Sequence, residues 1–586
     1  MSKQHIEQLI HAALSALHQS GKLPMDTSVF QVDATKDKQF GDFACNVALI
    51  LAKSLQRKPR EVAEMVVSAL PASPQIKKIE IAGPGFINFF LTAEALYTII
   101  TEIVTAGDKY GHADIGKGKR VLVEFVSANP NGPLHVGHGR HAAYGAVVSD
   151  LLETIGYDVH REYYVNDAGR QMDIVTVSTW LRYLELCGET IVFPANAYKG
   201  SYVIDIARTL FDTNNKQLCV SAQAVFKDLP LDEPAGGDKE IYIDAIIVRA
   251  KELLGESQYR AVFDLVLSTI QADIKNDLAE FGLHYQSWFS ERDFVKGDAV
   301  DRNIEELTKQ DVVYEREGAL WFRSTDFDDE KDRVLVRSNG VRTYFANDFA
   351  YHVNKFERGF DHAIDIFGAD HHGYIPRMKA GLQARGISPD KLTYLLVQFV
   401  TLYRGGQQVQ MSTRSGSFVT LRELREEVGN DAARFFYVMR KCEQHIDFDL
   451  DLAKSKSNEN PVYYIQYAHA RICSVFKQMR EKSMEYDYAA GVKHLTLLTQ
   501  PHELQLLATL ARYQTALMNA ATQHEPHILT NYLRDLATDF HAYYNAHPFL
   551  VDDESLRQAR LTLISATRQL LINGLKLIGV STPETM

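Results

Sequence analysis

Cysteine is scarce in this chain, and long apolar runs are missing from it. The 586 residues include five cysteines, which lie far apart and form no Cys-x-x-Cys pair. A structural zinc site or a disulfide framework is therefore not expected, and a reducing cytoplasm is the compartment that this cysteine usage favours. No run approaches the roughly 18 apolar residues that a membrane span requires, so we expect no membrane-spanning segment.

The chain also lacks an excess of basic residues. Sixty-three Lys and Arg stand against 75 Asp and Glu, which gives a net charge of −12. Since non-specific affinity for nucleic acids and anionic membranes comes from neutralising phosphates, this balance argues against generic coating of either, but it does not exclude a local basic track. Hydrophobic residues make up 46% and charged residues 24%, as is ordinary for a folded globular protein.

Changes in the pattern of apolar residues along the chain divide it into three predicted domains. Residues 1–112 mix helical and alternating patterns and predict a small α+β domain. In residues 113–454, short β-branched runs alternate with helical patterns, which is typical of an α/β fold with a Rossmann-like, doubly wound parallel sheet. A less regular stretch at about 185–290 is interpreted as an insertion into this domain. Residues 455–586 show helical spacing without a convincing strand and predict an all-α domain.

The strongest motif follows the β-branched run Arg120–Val126 and opens a helical pattern. Its glycines let a phosphate approach the backbone, and the N-terminus of the following helix offers free N–H groups and the positive end of a dipole. Two histidines three residues apart share one face of the first turn, where both can donate hydrogen bonds to a phosphate. A single histidine there would be better interpreted as a helix cap, whereas the pair favours phosphate chemistry. The motif reads Asn129-Pro-Asn-Gly-Pro-Leu-His135-Val-Gly137-His138-Gly139-Arg140.

Much further along the chain, a strand-like run is followed by the Gly- and Ser-rich stretch 404–416, RGGQQVQMSTRSG. Such a loop is weak evidence by itself, because loops are commonly rich in these residues. It gains weight from the histidine motif that precedes it.

Both motifs resemble those of the class I aminoacyl-tRNA synthetases, HxGH and the mobile KMSKS loop, and HxGH also occurs in related nucleotidylyltransferases. From end to end, the chain resembles the arginyl-tRNA synthetases of the bacterial type. Besides the HxGH region, the stretches that carry this resemblance are QVDATKDKQFGDFACNVA, IAGPGFINFFL, YYVNDAGRQ, TYFANDFAYH, FGADHHGYIPR, QMSTRSGSFVTL, DAARFFYVMR and GLKLIGVSTPETM.

The resemblance implies a division of labour among the three domains. The N-terminal additional domain would contact the elbow of tRNA, the Rossmann domain would carry the catalysis, and the C-terminal domain would be the helical anticodon-binding domain called DALR. The implied reaction has two steps: the arginine carboxylate attacks the α-phosphate of ATP, and the terminal ribose of tRNA then takes the arginyl group. The expected partners are tRNA(Arg), L-arginine and ATP with Mg²⁺, with no structural metal, and a cytoplasmic monomer is expected.

By the same resemblance, His135 and His138 are the catalytic residues and stabilise charge at the α-phosphate. The KMSKS-like loop departs from the general motif, because Gln410 and Thr413 stand where lysines are expected. Arg414 within the loop and Arg404 at its entry are the nearest cations in the sequence, and arginine can grip phosphate with two donors. The residues expected at ATP are Asn129, Pro130, Gly132, Pro133, Leu134, His135, Gly137, His138, Gln410, Met411, Ser412, Thr413 and Arg414.

The arginine pocket can also be argued from charge, because a guanidinium is a planar fork of donors that carboxylates match. Glu124 and Asp348 are the candidate carboxylates, and Asp348 follows Tyr344 by one helical turn, so the two share a face. Asp370 and His371 follow a later strand, where the ligand crevice of an open parallel sheet lies; a metal site is not expected there. The pocket residues implied by the resemblance and by this position are Glu124, Ser127, Asn129, Tyr344, Asp348, Asp370 and His371.

Two other functions agree with parts of the sequence. A small-substrate nucleotidylyltransferase with the HxGH motif would need neither the separate N-terminal domain nor the helical C-terminal domain. A non-catalytic tRNA-binding paralogue would have no use for the histidine pair, nor for Glu124 and Asp348. Both alternatives therefore explain less of the chain than an arginyl-tRNA synthetase does.

Overall fold

The computed structural model describes residues 3–23, 30–35, 38–409 and 419–586. The chain forms two compact units, of which one is Asp114–Lys454 and the other combines Met1–Ala113 with Ser455–Met586. Among the helices of the described residues, none has both the length and the apolar character that a membrane crossing needs.

The N-terminal part of the chain is a small α+β domain, as the sequence predicts. Its elements are α1 (Lys3–Gln19), β1 (Val32–Ala34), β2 (Phe43–Cys45), α2 (Val47–Leu55), α3 (Pro59–Ala69), β3 (Ile76–Ala82), β4 (Phe86–Leu91) and α4 (Ala93–Ala106). The strands form an antiparallel sheet in the order β1-β2-β4-β3, and its buried side chains share a core with α1, α2 and α3 that includes Ile10, Val62 and Phe89.

The central unit carries the strands of a larger, parallel sheet together with two smaller sheets. Its strands are β5 (Arg120–Phe125), β6 (Asp158–Val165), β7 (Ser287–Ser290), β8 (Val313–Arg316), β9 (Ala319–Phe322), β10 (Arg333–Val336), β11 (His362–Gly368), β12 (Leu392–Val397), β13 (Val400–Arg404), β14 (Gln407–Gln408) and β15 (Ile446–Asp449). Its helices are α5 (Val136–Thr154), α6 (Arg170–Leu186), α7 (Ser201–Asn214), α8 (Ala222–Phe226), α9 (Lys239–Glu280), α10 (Glu291–Lys296), α11 (Ala299–Lys309), α12 (Tyr344–Glu357), α13 (Ile375–Ala384), α14 (Leu421–Val428), α15 (Asn430–Val438) and α16 (Leu450–Lys454).

Residues 455–586, all of which the structure describes, contain helices and no strand, so the predicted all-α class of the C-terminal domain is confirmed. Its helices are α17 (Pro461–Glu481), α18 (Tyr488–Lys493), α19 (Pro501–Ala511), α20 (Tyr513–Thr522), α21 (Pro526–Ala546) and α22 (Glu554–Leu577). Short 3₁₀ helices elsewhere in the described chain cover Lys38–Phe40, Gly107–Lys109, Glu233–Ala235, Ser324–Phe327, Ala369–Tyr374, Pro389–Lys391 and Leu495–Leu497.

The two ends of the chain belong to one unit because α4 and the segment after it contact the C-terminal helices. The Tyr97 hydroxyl donates a hydrogen bond to the carbonyl of Leu498 (2.9 Å), and the Asn573 side chain donates to the carbonyl of Gly107 (2.9 Å). Tyr97 is almost fully buried, so its bond to the last third of the chain is shielded from water.

The parallel sheet has the strand order β12-β11-β5-β6-β7, and every pair of neighbours is parallel. The first strand of this sheet, β5, therefore lies in its middle. The chain adds β6 and β7 on one side of β5 and later adds β11 and β12 on the other side. The order reverses between β5 and β11. Open parallel sheets bind their ligands at the carboxyl ends of the strands on either side of such a reversal, so this edge is where a site is expected. The predicted Rossmann-like fold is confirmed.

The stretch interpreted as an insertion is mostly helical: it contains α7, α8 and α9, and β7 of the parallel sheet lies at its end. Helix α9 is interrupted at Gly255, whose φ of 70° and ψ of 163° are not helical.

A disulfide joins Cys187 and Cys219, contrary to the expectation drawn from cysteine spacing. The two residues are 32 positions apart, but the pairing of α6 with α7 brings their Cα atoms to 6.1 Å. That separation is within the ordinary range for a disulfide, and only tertiary structure could reveal it.

Helix α5 lies directly against β5 because Gly145 has no side chain. A Cβ atom at this residue would lie 2.3 Å from Cγ of Phe125, which is itself fully buried. We therefore expect Gly145→Ala to lower the free energy of unfolding by about 1–3 kcal/mol, the usual penalty of overpacking a core. The measurement is the urea midpoint, with Gly373→Ala as the control, since a Cβ at Gly373 would meet nothing within 4 Å. Equal midpoints for the two variants would show that α5 can move away from the sheet.

Candidate active site at the carboxyl edge of the parallel sheet

The histidine motif forms the N-terminus of α5, directly after β5. His135 is the cap residue: its Nδ1 accepts a hydrogen bond from the N–H of Gly137 (3.1 Å), and Nδ1 of His138 accepts one from the N–H of His135 (3.3 Å). The two imidazole rings stack with centroids 3.6 Å apart. A Cβ at Gly137 would lie 2.9 Å from the His135 ring, so glycine is the residue that lets this cap form.

These contacts determine which ring nitrogens carry hydrogen. Because Nδ1 of each ring accepts a backbone N–H, the neutral imidazoles of His135 and His138 must be protonated at Nε2. Burial lowers the pKa of His135, and burial together with the neighbouring His135 and His141 holds the pKa of His138 well below its usual range. Both residues are therefore neutral at pH 7. Each has an Nε2–H group, which can donate a hydrogen bond to a phosphate oxygen.

The start of α5 is anchored by a buried arginine. Arg140 is fully buried and donates to the carbonyls of Gln398 (2.7 Å) and Lys441 (2.8 Å), two residues from distant parts of the same unit. The motif is thus attached to the end of β12 as well as to β5.

The loop between β5 and α5 has an unusual backbone. Val126 and Ser127 both adopt positive φ, 69° and 41°, a region that side chains with a Cβ rarely enter. Ser127 accepts a hydrogen bond from the N–H of Tyr164 (3.0 Å) and donates to Glu124 Oε1 (3.0 Å), so neighbouring strands hold the loop in place. Two consecutive strained residues held in this way are typical of a functional site.

The residues predicted to bind ATP lie along this loop as far as the structure describes them. Asn129 is exposed and donates to Gln171 Oε1 (2.9 Å), which also accepts from the Asn131 side chain (2.7 Å). Pro130 and Leu134 are buried, whereas Gly132, Pro133 and Gly137 are half-buried. The remaining predicted ATP residues, Gln410, Met411, Ser412, Thr413 and Arg414, lie outside the described residues.

The chain that follows the KMSKS-like loop pairs with the histidine motif. Thr420 forms an antiparallel bridge with His135, the N–H of Val136 donates to the carbonyl of Val419 (3.2 Å), and the N–H of Leu421 donates to the carbonyl of Leu134 (2.8 Å). At the entry to the loop, Arg404 is exposed and donates to Glu427 Oε2 (2.6 Å). The far end of the loop is therefore attached beside His135.

Glu124 lies at the carboxyl end of β5, where it is buried and paired. Lys355 Nζ is 2.7 Å from Glu124 Oε2 and 2.6 Å from Asp365 Oδ1 on β11, and the Tyr351 hydroxyl is 3.0 Å from Glu124 Oε2. Lys355, which the sequence analysis did not identify, is therefore its internal cation; burial nevertheless raises the pKa of Glu124, and Lys355 opposes that rise.

Asp348 lies one turn into α12 and is half-buried; the Tyr374 hydroxyl donates a hydrogen bond to its Oδ2. Burial raises the pKa of Asp348, and the bond from Tyr374 opposes that rise. Tyr344, one turn before Asp348, is 63% exposed, so its ring is free to cover a ligand. Asp370 and His371 are also exposed, with Asp370 Oδ2 3.9 Å from His371 Nε2.

A second carboxylate of the site, Glu291, was missed from the sequence. It follows the last residue of β7, is 4% exposed, and has one carboxylate oxygen, Oε2, that is buried without a hydrogen-bond partner. Burial, with the nearby carboxylates of Asp348 and Asp167, raises the pKa of Glu291 to about 7. Its place directly after a short strand was the available signal, because acidic residues at the carboxyl ends of parallel strands line the crevice.

Among the described residues, no Lys, Arg or His forms an ion pair with Asp348 or Glu291. By contrast, the buried Glu162 accepts two hydrogen bonds from Arg358, at 2.6 and 2.8 Å. Buried carboxylates are ordinarily paired, so two neighbouring ones without a cation indicate that a ligand supplies the charge.

The parallel sheet, the strand reversal and the histidine pair at the start of the first crossover helix are features of the class I aminoacyl-tRNA synthetases and of related nucleotidylyltransferases, and a match to a family model decides for the synthetases. The family model described as "tRNA synthetases class I (R), catalytic domain" matches residues 99–186 and 244–453. The models for the "Arginyl tRNA synthetase N terminal domain" and the "DALR anticodon binding domain" match residues 4–91 and 465–586.

Relatives cover the whole chain. It is 61% identical to the arginine–tRNA ligase of Thioalkalivibrio sulfidiphilus over 100% of both chains, and 56% identical to that of Legionella pneumophila (strain Paris) over 100% of this chain and 99% of the relative. The arginyl-tRNA synthetase of Thermus thermophilus has the same fold, with a TM-score of 0.74 over 100% of both chains at 24% identity. The chain belongs to the arginyl-tRNA synthetase family.

The raised pKa of Glu291 predicts a measurable effect on stability. A carboxyl group whose folded pKa is about 7 destabilises the folded state progressively as pH rises from its unfolded pKa, roughly 4.3, to 7. The full effect above pH 7 is on the order of 3 kcal/mol, since one pKa unit corresponds to about 1.4 kcal/mol. We expect Glu291→Gln to raise the urea midpoint of the ligand-free protein at pH 8 and to raise it much less at pH 5, where only about 1 kcal/mol of the effect is present.

The matched control is Glu256→Gln on the exposed face of α9, which should change neither midpoint. If the Glu291 and Glu256 variants behave alike at pH 8, Glu291 is not destabilised in the folded protein.

Proposed function

We infer that the chain is an arginine–tRNA ligase. It activates L-arginine with ATP to arginyl-adenylate, releasing pyrophosphate, and transfers arginine to the 3′ end of tRNA(Arg), releasing AMP. The family membership and the full-length relatives support this activity. The structural observation that carries it is the pair of neighbouring carboxylates, Asp348 and Glu291, that the described protein leaves without a cation.

We propose that these two carboxylates bind the guanidinium of arginine. The guanidinium carries five donors in a planar fork and keeps its charge at any physiological pH, so it can satisfy both carboxylates at once. The orphaned Oε2 of Glu291 would then gain a partner. Tyr344 would cover the guanidinium with its exposed ring.

Glu124, Ser127 and Asn129 stay in the proposed pocket, but Glu124 acts in a different way from Asp348. Since Lys355 already balances Glu124, its part is to hold the Ser127 hydroxyl at 3.0 Å, and through it the strained loop. Ser127 and Asn129 would then face the amino-acid end of the substrate. Asp370 and His371 are proposed at the edge of the same crevice, where their exposure leaves them open to contact.

For the first step, the geometry of His135 and His138 supports charge stabilisation at the α-phosphate of ATP, which enters as its magnesium complex. As the arginine carboxylate attacks phosphorus and the bond to pyrophosphate breaks, negative charge grows on the phosphate oxygens. Two neutral Nε2–H donors at a helix N-terminus bind that charge with little rearrangement. Positioning and electrostatics are sufficient for such a transfer, so no protein nucleophile is required.

For the second step, we propose that the N-terminal and C-terminal domains bind tRNA(Arg), with the anticodon contacted by residues 455–586. Tyr463 and Tyr467 on α17 stack at 5.9 Å and are half-buried, so part of each ring is open for stacking with a base. A cytoplasmic monomer is proposed.

The two alternatives explain less of these observations. A nucleotidylyltransferase or a non-catalytic tRNA-binding paralogue would have no use for a cation pocket beside a phosphate site. Both would also depart from relatives that match the chain over its full length and are arginine–tRNA ligases.

The guanidinium assignment predicts a selective loss of arginine binding. Removing one partner of a desolvated charge pair typically costs about 2–5 kcal/mol, so Asp348→Asn should reduce kcat/KM for arginine by on the order of 30-fold or more. The KM for ATP should stay nearly constant. The assay is pyrophosphate exchange at varied arginine concentration in the presence of tRNA. The matched control is Asp390→Asn, because Asp390 lies just before the amino end of β12, away from the carboxyl ends of the strands. An unchanged arginine KM in the Asp348 variant would exclude Asp348 from the pocket.

The missing KMSKS lysines generate a second prediction. The leaving pyrophosphate needs a cation, and one such contact in a water-excluded site is typically worth about 3–4 kcal/mol. We propose that Arg414 supplies it, with Arg404 as the second candidate, and expect Arg414→Ala or Arg404→Ala to slow adenylate formation by about 100-fold or more. Single-turnover rates test this, with arginine affinity expected to change little. If both variants form adenylate at the parent rate, neither Arg414 nor Arg404 supplies the cation for the leaving pyrophosphate.

A further inference from the structure

A buried charge cluster links α12 to the two strands at the reversal of the sheet. Lys355 on α12 is fully buried and contacts Glu124 on β5 (2.7 Å) and Asp365 on β11 (2.6 Å). Burial alone would lower the pKa of Lys355, but Asp365 and Glu124 raise it above the ordinary value. Lys355 therefore carries one positive charge between two carboxylates.

His352 completes the cluster from the same helix, and it is 3% exposed. Its Nδ1 lies 2.6 Å from the backbone carbonyl oxygen of Asp348, and its Nε2 lies 2.9 Å from Asp365 Oδ2. A carbonyl oxygen only accepts hydrogen bonds, and so does an ionised carboxylate. Each ring nitrogen of His352 must therefore donate, which requires a hydrogen on both.

The proton cannot readily be assigned to Asp365 instead. Burial would raise the pKa of Asp365, but Lys355 and the hydrogen bond from His352 hold it below its usual range. Its other oxygen, Oδ1, already accepts from Lys355 at 2.6 Å. Asp365 is therefore ionised, and the proton belongs to the imidazole.

The groups around His352 are mostly carboxyls. Asp365 accepts from its Nε2, Asp348 and Glu124 lie close enough to interact with its charge, and Lys355 pairs with Asp365 and Glu124. Burial raises the pKa of Glu124 and of Asp348, so the ionised partner of His352 is Asp365. Tyr351 and Tyr394 have pKa values far above their ordinary range because of burial, so both are neutral. Glu162, which shares the Tyr351 hydroxyl, is balanced by Arg358.

We infer that His352 is held as an imidazolium and is a positioning residue for arginine recognition, because it connects the Asp348 turn of α12 to Asp365 on β11. This inference rests on the proposal that Asp348 binds the guanidinium. With His352 and Lys355 in place, the cluster is closed to the substrate, and the carboxylates left for arginine are those of Asp348 and Glu291. The positive charge of His352 also favours the ionised form of Asp348, which is the form that binds a cation.

The charge on His352 can be measured without reference to activity. In the full-length protein labelled with ¹⁵N-histidine, the His352 signals are identified by their loss in His352→Gln. At pH 7.5, where an exposed imidazole is mostly neutral, we expect both ring nitrogens of His352 to show an attached hydrogen. One bare nitrogen at this pH would overturn the inference. This measurement uses the parent protein, so it holds even if a variant folds poorly.

The positioning role is measured by pyrophosphate exchange with tRNA present. His352→Gln keeps one donor but no charge, and we expect it to raise the arginine KM at least tenfold with the ATP KM and kcat within twofold of the parent. His362→Gln is the matched control. His362 lies at the amino end of β11, the strand that carries Asp365, and its Nε2 is 2.9 Å from Thr393 Oγ1, so this variant should leave the arginine KM unchanged. A parent-like arginine KM in His352→Gln would overturn the positioning role.

Asp348→Asn separates this inference from the proposed function. If that variant raises the arginine KM and His352→Gln does not, the pocket stands and the positioning role fails. If Asp348→Asn has no effect, the pocket assignment itself fails, and the positioning role fails with it.

Discussion

The contact on which the site depends is the buried ion pair of Lys355 with Glu124 and Asp365. It joins β5 to β11 at the one place where the order of the parallel sheet reverses, and it does so from α12, the helix that carries Asp348. Buried charges are costly unless they are paired with good geometry, and here each carboxylate has a cation within 2.7 Å. The helix is thus attached to the sheet by charge as well as by apolar packing, and its orientation determines where the pocket lies.

The same edge of the sheet holds carboxylates that have an internal cation and, among the described residues, carboxylates that have none. Glu124, Asp365 and Glu162 have internal cations, whereas Glu291 keeps a buried oxygen without a partner. Beside them, His135 and His138 have pKa values lowered by burial, and the Nδ1 atom of each accepts a backbone N–H. The proposed pocket for the guanidinium and the proposed site for the α-phosphate therefore lie at one edge, which is what joining arginine to ATP requires. The buried Glu291 carboxyl, with its pKa raised to about 7, is the kind of perturbed group that is common at active sites.

Much of this arrangement could be anticipated from local patterns. The histidine pair behind a strand and a Gly/Pro loop is a short-range signal, and the structure shows the predicted helix start at His135. Asp348 and Tyr344 share a helix face because their spacing is one turn. Glu291 was missed because the short strand before it, β7, lies in the stretch that was interpreted as an insertion. Lys355 was missed because it is an ordinary charged residue on a helix, and the partners that make it important are far away in the chain. The Cys187–Cys219 pair was missed in the same way.

Sequence alone determined the domain classes, the family resemblance and the helix start at the histidine pair, since all of these rest on periodicity or on residues adjacent in the chain. Tertiary structure decided which carboxylates are balanced and which are open. Glu124 and Asp348 look equivalent in the sequence, yet Lys355, 231 residues beyond Glu124, balances only one of them. Electrostatic interactions act through space and depend on burial, so the partner of a charge becomes known only when the folded chain brings distant residues together.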